Sequence, residues 1–219
     1  MKFILTDIEG TTTSISFVHE VLFPYSYQHL HDFLNKLLPQ EFQEYIEGQK
    51  KILENDLKTT LTMEQFEEKL KEFIRNDVKN PVLKNIQGAI WRQAYEDGAV
   101  KGHVYKNAHR SILKWHNAGY SFGIYSSGSV EAQKLLFQYS DFGDMTPYFK
   151  AYFDTKVGHK REENSYRNIL RELNLPPEDV VFLSDIIEEV QAAKAAGMHS
   201  YQVSKERTFE MVLEEILAN

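Results

Sequence analysis

Cysteine is absent from the 219 residues. Disulfides, thiolate metal sites and cysteine nucleophiles are therefore excluded. Long apolar runs are missing too: no stretch approaches the roughly 20 apolar residues of a membrane-spanning helix. Near the N-terminus, Phe3–Leu5 is too short for the apolar segment of a secretion signal, and Asp7 and Glu9 interrupt it. Positive charge is in deficit, with 25 Lys and Arg against 32 Asp and Glu, a formal net charge of −7. That balance disfavours nucleic acid and anionic membrane as partners but leaves room for a small anionic substrate at a locally positive site. The expectation is a cytoplasmic protein with no nucleic acid or membrane partner.

What is present is ordinary in amount, with 42% hydrophobic and 26% charged residues, as in a globular chain able to bury a proper core. The order is more informative. Lys2–Thr6 reads as a short buried strand ended by the acidic turn Asp7-Ile8-Glu9-Gly10. From Phe17 to about Gly98 the periodicity is helical. Met63, Phe66, Leu70, Phe73 and Ile74 share one helix face, Glu41–Leu53 and Val82–Tyr95 also read as helices, and Pro24, Pro39 and Pro81 punctuate the block. The second half alternates. Helices are expected over Asn107–Asn117, Val130–Gln138, Asn164–Leu173, Glu188–Ala196 and Thr208–Leu217, and strands over Tyr120–Tyr125, Ala151–Phe153, Val180–Leu183 and Ser200–Val203. Such alternation predicts a parallel sheet covered by helices. The reading is an α/β core of residues 1–16 and 99–219, with an all-helical subdomain of residues 17–98 inserted after the first strand.

In open parallel sheets, ligands bind at the carboxyl ends of the strands. There the first strand leaves Asp7 and Glu9, "GIYSSGSV" leaves Ser126 and Ser127, and "VVFLSDIIEE" leaves Ser184 and Asp185 with Glu188 and Glu189. The loop "DTKVGHKREE" adds Lys156, His159 and Lys160. Singly, each of these is also an ordinary turn, cap or surface residue; their convergence is the signal. A carboxylate such as Asp7 can attack phosphorus and form an aspartyl-phosphate. Glu9 can protonate the leaving oxygen and then activate water. Asp185 with Asp7 and a turn carbonyl offers oxygen ligands that suit Mg²⁺, and Glu188 or Glu189 could orient waters. Ser126 and Ser127 at a helix start suit phosphate. Lys160, or its rival Lys156, would supply the fixed positive charge.

These four elements together resemble the haloacid dehalogenase-like phosphatases, whose pattern is Asp-x-Asp-Gly-Thr, a Ser or Thr, a lysine and a late acidic pair. The matching residues are Asp7-Ile8-Glu9-Gly10-Thr11, Ser126, Lys160, and Asp185 with Glu189. One departure, Glu9 for the usual aspartate, is shared with one branch. The stretches "DIEGTTTSISFVHEVLFPY", "YSSGSVEAQKLLF", "FDTKVGHKREENSY" and "FLSD" are similar to the acireductone synthases, the enolase-phosphatases of methionine salvage. The helical block matches less clearly, apart from "IWRQAYEDG".

The resemblance implies a Rossmannoid parallel sheet flanked by helices, with the inserted block as a cap. It implies conversion of 2,3-diketo-5-methylthiopentyl 1-phosphate to the acireductone and phosphate, by enolisation and then dephosphorylation. One Mg²⁺ per chain is implied, with Asp7, Glu9 and Asp185 as metal positions, Glu9 through its backbone carbonyl. Ser126, Ser127 and Lys160 become the phosphate positions, and Asp7, Glu9 and Lys160 the catalytic set, in a monomer. The enolisation base stays open between Glu9 and a residue of the insert such as His19 or Glu20. Two other readings stand beside this one: a phosphatase of another small ester, and a non-catalytic phosphate-binding module on the same fold.

Overall fold

The computed structural model describes residues 2–36 and 39–217. Met1, Leu37, Leu38, Ala218 and Asn219, which the ranges expected from sequence include, lie outside the described residues. The chain divides into two compact units, Met1–Phe17 with Lys101–Asn219, and Val18–Val100.

The first unit is built on five parallel strands: β1 (Phe3–Thr6), β2 (Ser121–Tyr125), β3 (Phe149–Phe153), β4 (Val180–Ser184) and β5 (His199–Gln202). They lie in the order β3-β2-β1-β4-β5. β1 and β4 are buried along their whole lengths, which is why both read as unbroken apolar runs rather than alternating ones. The edge strand β5 carries His199, Ser200, Tyr201 and Gln202 and is partly exposed, as an edge should be. Helices α5 (Lys106–Asn117), α6 (Val130–Gln138), α7 (Glu163–Leu173), α8 (Ile187–Ala195) and α9 (Phe209–Leu217) accompany the strands. Chain direction across the sheet reverses between β1 and β4, and this crevice is the expected ligand position in such sheets.

The second unit holds α1 (Phe23–Asn35), α2 (Gln40–Leu57), α3 (Met63–Arg75) and α4 (Pro81–Glu96), entered through a π-helical turn at Phe17–Leu22. Sequence periodicity did not separate that turn from α1. Local chemistry sets the helix starts. Thr62 and Gln65 form a reciprocal capping box on α3, and Asn80 caps α4 with Pro81 in its first turn. Leu30, Leu53, Phe66, Leu70 and Ile86 are fully buried at the centre of this bundle. Trp91 donates its indole N–H to the Leu22 carbonyl at 2.9 Å, tying α4 to the entry turn.

On one face of the sheet Phe182 of β4 clusters with two tyrosines, whose own rings lie 5.5 Å apart. Its ring lies 5.0 Å from Tyr166 of α7 and 6.5 Å from Tyr125 of β2. All three are completely buried. Truncating such a ring removes its transfer energy and leaves a cavity. Phe182→Ala is expected to cost about 3–5 kcal/mol, measured by urea denaturation.

Candidate active site

The ladder between β1 and β4 runs one residue past the strand, where the Asp7 amide donates to the Leu183 carbonyl at 2.9 Å. The chain then turns sharply. The amides of Thr12 and Thr13 both donate to the Ile8 carbonyl at 2.9 Å, and Gly10 donates to the Thr13 carbonyl at 2.8 Å. Gly10 sits at φ +77°, a conformation that disfavours side chains. A Cβ there would lie 2.2 Å from Asp185 Oδ2. The glycine thus lets the acidic turn after β1 and the acid after β4 approach closely.

Asp7 is 3% exposed. Its Oδ1 accepts from the Ile8 amide at 2.8 Å and from Lys160 Nζ at 2.6 Å. Among the described residues its Oδ2 has only a long contact, 3.4 Å, from the Ser184 hydroxyl. The two oxygens are therefore unlike: one is saturated with donors and the other is open to a new partner. Lys160 bridges onward to Glu189 Oε2 at 2.8 Å, and the Ser184 hydroxyl donates to that same oxygen at 2.8 Å.

Lys160 is brought inside by its loop. Gly158, at φ +133°, lies so close to Ser165 that a Cβ would fall 2.2 Å from its hydroxyl oxygen. Tyr166 donates its hydroxyl to the Lys160 carbonyl at 2.6 Å, and Tyr125 donates to the Gly158 carbonyl at 2.9 Å. Lys156 is exposed, as is His159, so geometry separates the two lysines that sequence left as rivals. It likewise separates the two glutamates: Glu189 is buried and Glu188 is exposed.

Ser126, completely buried, donates to Glu9 Oε2 at 3.2 Å and accepts from the Gly128 amide at 3.1 Å. Ser127, next along the turn, is exposed. Asp185 is fixed through its backbone: its amide donates to Thr11 Oγ1 at 3.0 Å and its carbonyl accepts from Gln202 at 2.8 Å. His19 and Glu20 belong to the helical unit and are both exposed.

Four acids, Asp7, Glu9, Asp185 and Glu189, stand against one buried lysine. Burial pushes Asp7 up to about 7, with Glu9 and Glu189 adding repulsion and Lys160 opposing. Burial also raises Asp185. Lys160 is raised because the two carboxylates outweigh the lowering effect of its own burial. The two aspartate shifts follow chiefly from burial, and the lysine shift from the carboxylates beside it. Asp185 Oδ1 is buried without a hydrogen-bond partner, which is costly unless another group satisfies it. These carboxylates fit a hard divalent cation. Among the described residues no three His, Asp or Glu side chains are placed to hold a metal ion by themselves, so such a cation would need backbone or solvent oxygen as well.

Sequence reasoning did not assign Ser184 or Gln133 a role, and it offered Glu189 as an organiser of water and as the partner of Asp185 in the late acidic pair, not as a partner of Lys160. A helical stripe at Glu189, Ala192, Ala193 and Ala196, all buried, was the signal that would have turned Glu189 inward.

The fold defines a class, and comparison agrees. The family model described as haloacid dehalogenase-like hydrolase matches residues 1–197. Enolase-phosphatase E1 of Pseudomonas fluorescens is 43% identical over 207 residues, covering 94% of this chain and 90% of that protein. Enolase-phosphatase E1 of Drosophila willistoni is 44% identical over 210 residues, covering 91% and 85%. Among solved structures, the UTR4 protein of Saccharomyces cerevisiae matches with a TM-score of 0.77 and 35% identity, over 93% of this chain and 89% of that one. The chain belongs to the haloacid dehalogenase-like hydrolases and, within them, to the enolase-phosphatases.

Gly10→Ala tests the close approach at the centre of the site. Strain at positive φ and the collision with Asp185 are expected to lower stability by about 1–3 kcal/mol. Thermal unfolding would measure the loss, and a crystal structure of the variant would show Asp185 displaced.

Proposed function

We propose that this chain is an acireductone synthase. It enolises 2,3-diketo-5-methylthiopentyl 1-phosphate and then removes phosphate, yielding the acireductone of L-methionine salvage. The observation that carries this reading is identity of 43% to 45% with enolase-phosphatases over about nine-tenths of the chain.

In this reading Asp7 is the nucleophile. Its Oδ1 is anchored by Ile8 and Lys160 at 2.8 and 2.6 Å, which aims the carboxylate and leaves Oδ2 open. A new bond forms from Asp7 to phosphorus as the bond from phosphorus to the substrate oxygen breaks. Glu9 gives its proton to that leaving oxygen. The same carboxylate then takes a proton from water, whose oxygen attacks the aspartyl-phosphate and frees Asp7 and phosphate. Lys160 holds positive charge beside the transferring group, and Ser126 and Ser127 hold phosphate oxygens.

Asp7, Asp185 and the Glu9 carbonyl are the residues that would hold Mg²⁺. When bound, the ion would supply charge that lowers the repulsion between carboxylate and phosphate and stabilises an enolate oxygen. Enolisation also needs a base to remove a proton from carbon beside a ketone, and Glu9 or a residue of the insert, His19 or Glu20, is assigned that step. Residues 17–98 are assigned the role of a cap inserted into a phosphatase core of residues 1–16 and 99–219. The protein is assigned to the cytoplasm as a monomer. Among the described residues no helix is long and apolar enough to cross a membrane.

The test follows enol absorbance and phosphate release in parallel from the diketone phosphate. Both are expected with Mg²⁺ and neither with EDTA. Release of phosphate from other esters without turnover of this one would sink the salvage assignment. Asp7→Asn is expected to lose at least about 10³-fold in kcat for phosphate release, and an unimpaired variant would remove Asp7 as nucleophile. If Glu9→Gln enolises the substrate at the normal rate, Glu9 is not the base.

A further inference from the structure

The turn after β2 rests on a side chain to which no role above is given. Gln133, in the first turns of α6, is 1% exposed. Its Nε2 donates to the Gly128 carbonyl at 2.9 Å and to the Phe153 carbonyl at 2.8 Å. Both partners can only accept, so the amide nitrogen has to face them. The Phe153 carbonyl also accepts from the Ser126 amide at 3.2 Å. One buried amide thus joins the end of β3, the serine turn and α6. Its own Oε1 is buried without a partner, so this position keeps a polar residue despite the cost of desolvating a bare oxygen.

The consequence follows from peptide geometry. Among the described residues there are no cis bonds, and in a trans peptide the carbonyl and the following N–H point in opposite directions. Pinning the Gly128 carbonyl onto Gln133 therefore turns the Ser129 N–H away from Gln133. The Gly128 amide is already taken by the Ser126 hydroxyl at 3.1 Å. Ser129 uses its side chain to cap α6, accepting from Ala132 at 3.2 Å. Its backbone N–H lies ahead of the helix and belongs to none of the helix's own bonds.

We propose that Gln133 is a positioning residue for the substrate phosphate. Its amide sets the Gly128–Ser129 peptide so that the Ser129 N–H is presented to a phosphate oxygen beside the Ser126 hydroxyl. This rests on the reading of the Ser126–Ser127 turn as the phosphate cradle.

Gln133→Met keeps the length of the side chain and removes both donated bonds. The inhibition constant of inorganic phosphate is expected to rise about tenfold, as for loss of one well-placed hydrogen bond. KM is expected to rise with it while kcat stays within about threefold, and the Mg²⁺ dissociation constant measured by calorimetry is expected to stay put. A residue with a packing role alone would lower the melting temperature and leave the phosphate constant unchanged, which would overturn the proposal. If the variant does not fold, the unmodified protein decides. Titration with inorganic phosphate must shift the Ser129 amide resonance, and an unmoved Ser129 overturns the proposal. Ser126→Ala separates the two ideas. Weaker phosphate binding in Ser126→Ala but not in Gln133→Met refutes the positioning role and keeps the cradle. Unchanged binding in both, with Ser129 unmoved, refutes the cradle and the positioning role together.

Discussion

The Lys160 ammonium, held between Asp7 at 2.6 Å and Glu189 at 2.8 Å, is the interaction on which the site depends. Without it, two buried carboxylates would face each other across Ser184 with no cation, and one or both would have to take up a proton. With it, Asp7 gains a fixed donor on one oxygen only. Much of the surrounding structure keeps that lysine inside: the positive φ of Gly158, the Tyr166 hydroxyl on the Lys160 carbonyl, and the Tyr125 hydroxyl on the Gly158 carbonyl. Tyr125 and Tyr166 also form a three-ring cluster with Phe182 in the sheet core. The packing that stabilises the fold is thus continuous with the packing that places the charge.

The parallel sheet supplies the other half of the arrangement. Because β1 and β4 are neighbours in register, Thr6 opposite Leu183, the residues that follow them meet at the same height. Asp7 and Asp185 come from points 178 positions apart in the chain, yet only the absent side chain of Gly10 separates the two acidic turns. The result is a pocket of negative charge with one internal cation, a composition that repels a phosphate ester until more positive charge arrives. That excess of buried negative charge is a composition that a hard divalent cation would offset.

Much of this was legible in the sequence. The apolar runs of β1 and β4 announce buried parallel strands, and the helix at Val130–Gln138 is bounded by its own Ser129 cap. The sequence pattern marks β3 only over Ala151–Phe153, whereas the strand begins at Phe149, because its start is exposed at Lys150 and lacks an apolar run. What sequence could not show were contacts between distant segments. Lys156 and Lys160 lie in the same polar loop, and only the meeting of that loop with α7 buries one of them. Gln133 is flagged faintly by its place one turn before Leu136 and Phe137, all three buried, but its partners, Gly128 and Phe153, are backbone carbonyls that carry no side-chain signature. Ser184 is hidden for the same reason: a small hydroxyl at a strand end says nothing of the two carboxylates it touches.

The central claim is that Asp7, desolvated and held by Lys160, bonds covalently to phosphorus. The most direct measurement mixes the enzyme with the diketone phosphate and Mg²⁺, quenches with acid within a turnover, and maps the phosphorylated peptide by mass spectrometry. The account predicts a transient acyl-phosphate on the peptide carrying Asp7, gone after turnover and absent from Asp7→Asn. Turnover with no adduct at any time, or an adduct on another residue, would contradict it.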